Sequence, residues 1–145
     1  MRKNQPVDMM ALKLEAKKFA AENYTASLMS NTKWRTLFKA LEDSSIDVKG
    51  MVVKFIGEDN EWSPVHPGLH PPHAYVDLWP LNTYPLVEIE WVEFRRVVER
   101  KRPNNVPAEL VPQDIDAIRS AIEGTGKRFP LEVSDHAIRV VGHVK

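Results

Sequence analysis

Between Gly50 and Phe94 the chain runs through three strand-like stretches, GMVVKFIG, AYVDLW and LVEIEWVEF, and the first two are separated by EWSPVHPGLHPPH. Pro64, Pro67, Pro71 and Pro72 fix φ and remove backbone donors, so this segment can be neither helix nor central strand. The fold therefore has to be a small sheet with an irregular loop on one edge. In the first stretch Met51, Val53 and Phe55 point one way and Val52 and Ile56 the other, which predicts an interior strand covered on both faces. Gly57-Glu58-Asp59-Asn60 is a turn signal, and Glu61 onward returns as a short partner that Pro64 stops. Tyr75 to Trp79 and Leu86 to Phe94 are the next strands. In the latter, Val87, Ile89 and Trp91 alternate with Glu88 and Glu90, giving one buried and one wet face. The alternation slips at Trp91-Val92, which predicts a bulge there or the end of the strand.

Helical periodicity brackets this region. Residues 7–28 carry Met9, Leu12, Ala16, Phe19 and Ala20 on one face and a thinner stripe of Met10, Leu14 and Ala21 on another. Two apolar stripes suit a helix lying in a groove or against a second copy of the chain. A second helix is capped by Ser30 or Asn31 and places Trp34, Leu37, Phe38 and Leu41 at i, i+3, i+4 and i+7. The basic block Arg95 to Arg102 and a proline-containing connector follow. A third helix is expected from near Pro112, with Asp114 favourable at its positive end and Gly124 as a left-handed stop. FPLEV and HAIRVVGHV read as closing strands, the last docked to the sheet.

The reading is an α+β fold in one domain spanning residues 1–145, with a helical extension over 1–29 and a core over 30–145. Its sheet is mostly antiparallel, of about five or six strands, with about three helices. The absence of cysteine excludes disulfides and thiolate chemistry. Twenty basic against twenty acidic residues denies the chain a global positive field, which argues against nucleic acid as a partner, as does the lack of aromatics interleaved in the basic block. No stretch reads as a signal peptide or membrane span, so an intracellular protein is expected.

Asn31-Thr32-Lys33-Trp34 and, further on, Ile89-Glu90-Trp91-Val92-Glu93 resemble a family of small uncharacterised bacterial proteins that share an Asn-Thr-Lys-Trp opening and an Ile-Glu-Trp strand. The resemblance covers about residues 30 to 94, implies a bacterial cytoplasmic setting, and brings no activity, cofactor or catalytic residue.

Chemistry concentrates in the histidine loop. His66, His70 and His73, with Asp77 close behind, could hold zinc or another transition metal and leave a position open for water, as a metal-dependent hydrolase would. The prolines rule out the helical presentation on which established two-histidine motifs depend. Glu88 and Glu90 are explained by their strand alternation. Gly124-Thr125-Gly126-Lys127 lacks the spacing and context of a phosphate loop, and there is no nucleophile elbow or dinucleotide fingerprint. The class these absences favour is a non-enzymatic binding or accessory protein without a cofactor, immunity- or antitoxin-like in kind. Its protein contacts would run through Trp62, Tyr75 and Trp79, with homo-oligomerisation through the first helix.

Overall fold

The computed structural model describes residues 9–64, 66–68, 75–79 and 83–145. The architecture is α+β. Its main sheet has five antiparallel strands in the order β10-β11-β7-β2-β3, made by Leu131–Val133, Ala137–Val141, Ile89–Arg95, Val52–Phe55 and Glu61–Trp62. Beside it lie a three-stranded sheet, β4 (His66–Gly68), β5 (Tyr75–Trp79) and β6 (Thr83–Pro85), and two short ribbons. One ribbon pairs β1 (Ala26–Ser27) with β12 (His143–Val144), and the other pairs β8 (Val97–Arg100) with β9 (Glu109–Pro112).

α2 (Asn31–Asp43) forms as its periodicity dictates. The Ser30 hydroxyl accepts from Lys33 N at 3.1 Å as N-cap, and Trp34, Leu37, Phe38 and Leu41 are buried. With Ile115, Ile118 and Ile122 of α3 (Ile115–Glu123) they cover Val53, Phe55, Val92, Phe94, Ile138 and Val140 of the sheet. Val76, Leu78 and Leu86 extend the same core, and Tyr84 of β6 stacks on Phe55 with ring centroids 4.3 Å apart.

The central strand differs from its expected form. Leu86–Glu88 is a 3-10 turn, and the irregularity lies one residue before the expected slip: Lys54 faces Trp91 while Phe55 faces Ile89, which makes Glu90 the extra residue. Because the bulge reverses the pleat, Ile89 enters the core together with Val92 and Phe94, while Trp91, Glu93 and Arg95 occupy the reverse face. There Arg139 lies 3.9 Å over the Trp91 ring, and the buried Glu93 carboxylate accepts from Arg95 Nε at 2.8 Å and Arg139 Nη2 at 3.3 Å.

Three boundaries also move. α1 (Met9–Asn23) ends before residue 28, where Asn23 Nδ2 donates to Phe19 O and the chain turns extended so that β1 can pair with β12. α3 starts at Ile115, not near Pro112, because the Asp114 carboxylate caps it by accepting from Ala117 N at 3.0 Å, and Pro112 instead ends β9. Gly124 stays right-handed at φ −64°, and the left-handed residue is Gly126 at φ 76°.

Gly142 is fixed by close approach. Its N–H donates to the bulge carbonyl of Glu90 at 2.6 Å, and a Cβ there would run into Ile89 O and meet Trp34 Cζ2 at 3.0 Å. A Cβ at Gly126 meets nothing within 4 Å, so only backbone strain opposes it. Gly142→Ala is therefore expected to cost about 3 kcal/mol in denaturant unfolding, and Gly126→Ala about 1 kcal/mol.

Candidate functional site

Among the described residues, a polar surface feature arises where the sheet splits. β7 continues through Arg96 into β8, but the lead-in to β2 leaves it, and Gln113 enters the gap. Its Nε2 donates to Gly50 O at 3.2 Å and Arg95 O at 2.8 Å; its Oε1 accepts from Lys49 N at 2.7 Å and Gly50 N at 3.3 Å. The Gln113 N–H donates to Arg96 O at 2.7 Å. The buried amide thus replaces a stretch of strand ladder with its four hydrogen-bonding positions all used.

A cleft of about 360 Å³ opens there, walled by Lys49–Val52, by Ser63 and Pro64, and by Arg95 together with Val97 to Lys101. Its cations are not equivalent. Arg95 is neutralised by Glu93 and by Glu61, the latter at 3.1 Å. Arg100 Nη2 donates to Lys49 O at 2.9 Å, an interaction that fixes the guanidinium without cancelling its charge. Arg102, beyond the cleft, is held in the same way by Pro107 O at 2.8 Å. Lys49 pairs with the exposed Asp47, and Lys101 has no ion pair among the described residues.

One side of the β8–β9 ribbon exposes apolar side chains around Glu99, which stands across from Leu110, while Arg100 stands across from Glu109 on the other side. Leu110 is 63% and Val97 47% exposed, with exposed Pro112 across from Val97. At the far end Asn104 and Asn105 adopt φ near 59° and 58°, a left-handed conformation that asparagine tolerates.

A second polar group is buried between α1 and the sheet. The Tyr24 hydroxyl donates to Glu90 Oε1, Lys54 Nζ donates to the same oxygen at 2.7 Å, and Gly57 N–H reaches the Tyr24 hydroxyl at 3.4 Å. Next to them His143 Nε2 contacts Val87 O at 2.7 Å and Nδ1 contacts Ser27 Oγ at 2.8 Å. Because a carbonyl only accepts, Nε2 carries the proton and the serine hydroxyl donates to Nδ1. Burial, with the hydrogen bond to Glu90, pushes the Tyr24 hydroxyl up to about 12, and burial lowers His143 from its ordinary 6.5. These groups fasten the end of α1 and the β1–β12 ribbon to the bulge.

Of the residues singled out from sequence, His66, Tyr75, Asp77 and Trp79 share the three-stranded sheet. His70 and His73 lie outside the described residues, whereas His66 belongs to β4 and its backbone pairs opposite Trp79 of β5. Asp77, the further residue of that cluster, pairs opposite Gly68. Tyr75 is buried, and Arg35 donates to its carbonyl at 3.4 Å. Trp62 is half-buried against the core, with its Nε1 donating to Glu58 at 3.3 Å. Glu90 is not on a wet face: its side chain is 12% exposed. Gln113 and His143 gave no sequence signal, since neither sits in a motif and each acts through partners far along the chain.

Fold and surface together define a small α+β protein with a two-stranded ribbon, β8–β9, that exposes Val97 and Leu110 and borders a cleft lined by Lys49, Arg100 and Lys101. Residues 16–145 match the family of unknown function DUF6678, and the chain belongs to that family. The matched region includes the second half of α1 and all of β1. No curated protein and no solved structure matches the chain. Among the described residues no helix is long and apolar enough to cross a membrane.

Two pH responses follow from the buried polar group. His143 takes up a proton more readily in the unfolded chain, so its contribution is complete above about pH 6.5 and is lost as pH falls below it. Tyr24 acts in the opposite direction: its contribution is complete below pH 10 and lost as pH rises toward 12. In denaturant midpoints measured across pH, His143→Gln should flatten the acid limb and Tyr24→Phe the alkaline limb. Tyr24→Phe should also cost about 1 kcal/mol at neutral pH, because Glu90 keeps Lys54 but loses a donor.

Proposed function

We propose that this protein is a non-enzymatic binding protein that engages an acidic protein partner through the β8–β9 ribbon. The observation that carries the reading is the exposure of Leu110 and Val97 on a ribbon that borders a cleft lined by Arg100 and Lys101. Large apolar side chains ringed by charge are the usual composition of a contact surface, and aliphatic anchors supply affinity while rim charges choose the partner. The arginines held by carbonyls favour a partner that supplies carboxylates. An immunity- or antitoxin-like role belongs to this class, since it needs one stoichiometric protein partner and no catalytic group.

A photo-crosslinking residue at Leu110 is expected to trap one protein that co-elutes with the chain in fixed ratio, and Val97→Lys should weaken that complex by about tenfold or more. Uniform low-level labelling of many proteins, or none, rejects the reading.

A second reading, self-association through α1, is carried by Met10 and Leu14, which are 60% and 58% exposed on one side of that helix. Light scattering of Met10→Lys with Leu14→Lys should then give half the particle mass of the parent dimer. An unchanged mass sinks it.

A further inference from the structure

We infer that the cleft between the lead-in to β2 and β8 is a carboxylate site that seats an acidic side chain of the partner, an assignment that rests on the protein-binding reading above. Its cations come from two separate segments, Lys49 from the approach to β2, and Arg100 with Lys101 from the end of β8. They converge because Gln113 spreads those segments while Arg100 spans the opening to Lys49 O at 2.9 Å. The Arg100 side chain is therefore held by a neutral acceptor and keeps its charge and its remaining donors for a ligand. Lys49 is only loosely engaged, since the Asp47 carboxylate is 76% exposed and such a pair is worth little in water. A ligand carboxylate in the cleft competes with Asp47 from a better position, because Val52, Val98 and Pro64 form apolar walls that strengthen each charge interaction.

The composition of the cleft also selects the ligand. Arg100 and Lys101, with Lys49 only loosely paired to Asp47 and Glu99 among the lining residues, match one or two carboxylates better than a densely charged polyanion. Among the described residues no aromatic lines the cleft, so nucleic-acid bases would find no surface there on which to stack. Its volume of about 360 Å³ suits one or two side chains. Val97 is among its lining residues and is also one of the apolar side chains that the ribbon exposes, so a chain seated in the cleft can continue across that surface.

The test uses the full chain, nitrogen-15 labelled and titrated separately with a hexaglutamate peptide, inorganic phosphate and an oligothymidine. Hexaglutamate is expected to shift the amides of Gly50, Val98 and Lys101, weaken steeply with added salt, and lose about tenfold in affinity in Lys49→Gln with Lys101→Gln. Lys101 is exposed and Lys49 half-exposed, with no buried partner for its ammonium, so the fold should stay intact, as unchanged amide positions elsewhere would confirm. Arg119→Gln on α3 should bind as the parent does. The assignment is overturned if hexaglutamate leaves these amides unmoved, if the double variant binds it equally, or if phosphate or oligothymidine occupies the cleft more tightly. Trapping at Leu110 separates the two ideas: a partner captured equally well by parent and double variant refutes the cleft and retains the ribbon, whereas no partner at Leu110 refutes the ribbon itself.

Discussion

One extra residue in the central strand controls how the rest of the molecule can pack. With Glu90 inserted opposite the Lys54–Phe55 step, β7 presents Ile89, Val92 and Phe94 to the helices and Trp91 and Glu93 to the reverse face. The same insertion turns the Glu90 carbonyl toward Gly142, and its carboxylate accepts from Tyr24 and Lys54. A half-buried carboxylate is costly unless its lone pairs are filled, and here an ammonium and a phenol fill them. The position of the N-terminal helix and the entry to the last strand thus both depend on a single backbone irregularity.

The reverse face of the sheet follows the same economy of charge. Glu93 is buried between Arg95 and Arg139, and Arg139 also lies over Trp91, so an aromatic ring and a carboxylate are covered by one guanidinium. At the other end of β7, Gln113 holds two strand segments apart with a neutral amide. Neutrality matters there, because the amide can donate to two carbonyls and accept from two N–H groups at once, which a glutamate could not do. The cleft is the space left by that separation.

What could be read in advance was whatever depends on near neighbours in sequence. The apolar face of α2, its Ser30 cap, the turn at Gly57 and the closing strand Ala137–Val141 all follow from periodicity or a turn residue, and all are present. The slip in the Ile89–Phe94 pattern announced a bulge, but its place is set by pairing with β2 and lies at Glu90 rather than Trp91-Val92. The β8–β9 ribbon was not legible at all. Val97–Arg100 and Glu109–Pro112 show no alternation, carry charge and proline, and are strands only because they pair with each other. Pro112 read as a helix start for the same reason: its role at the end of β9 is conferred by Val97 across the ribbon. Histidines are conspicuous in a sequence, whereas the cleft is assembled from two lysines, an arginine and a glutamine that look ordinary there. His143 acquires its role only from Ser27 and Val87, both distant along the chain.

The pairing of β1 with β12 also sets the order in which the molecule can be made. Ser27 and His143 are 116 residues apart in sequence, so the segment that follows α1 has no partner while the chain is being synthesised, until residues 143 and 144 have been added. The first helix can already pack on β6 and on the turn at Leu86–Glu88, so what waits is the pairing that anchors its exit. The closing step joins contacts of very large sequence separation, which makes it slow compared with formation of α2 or the β2–β3 hairpin.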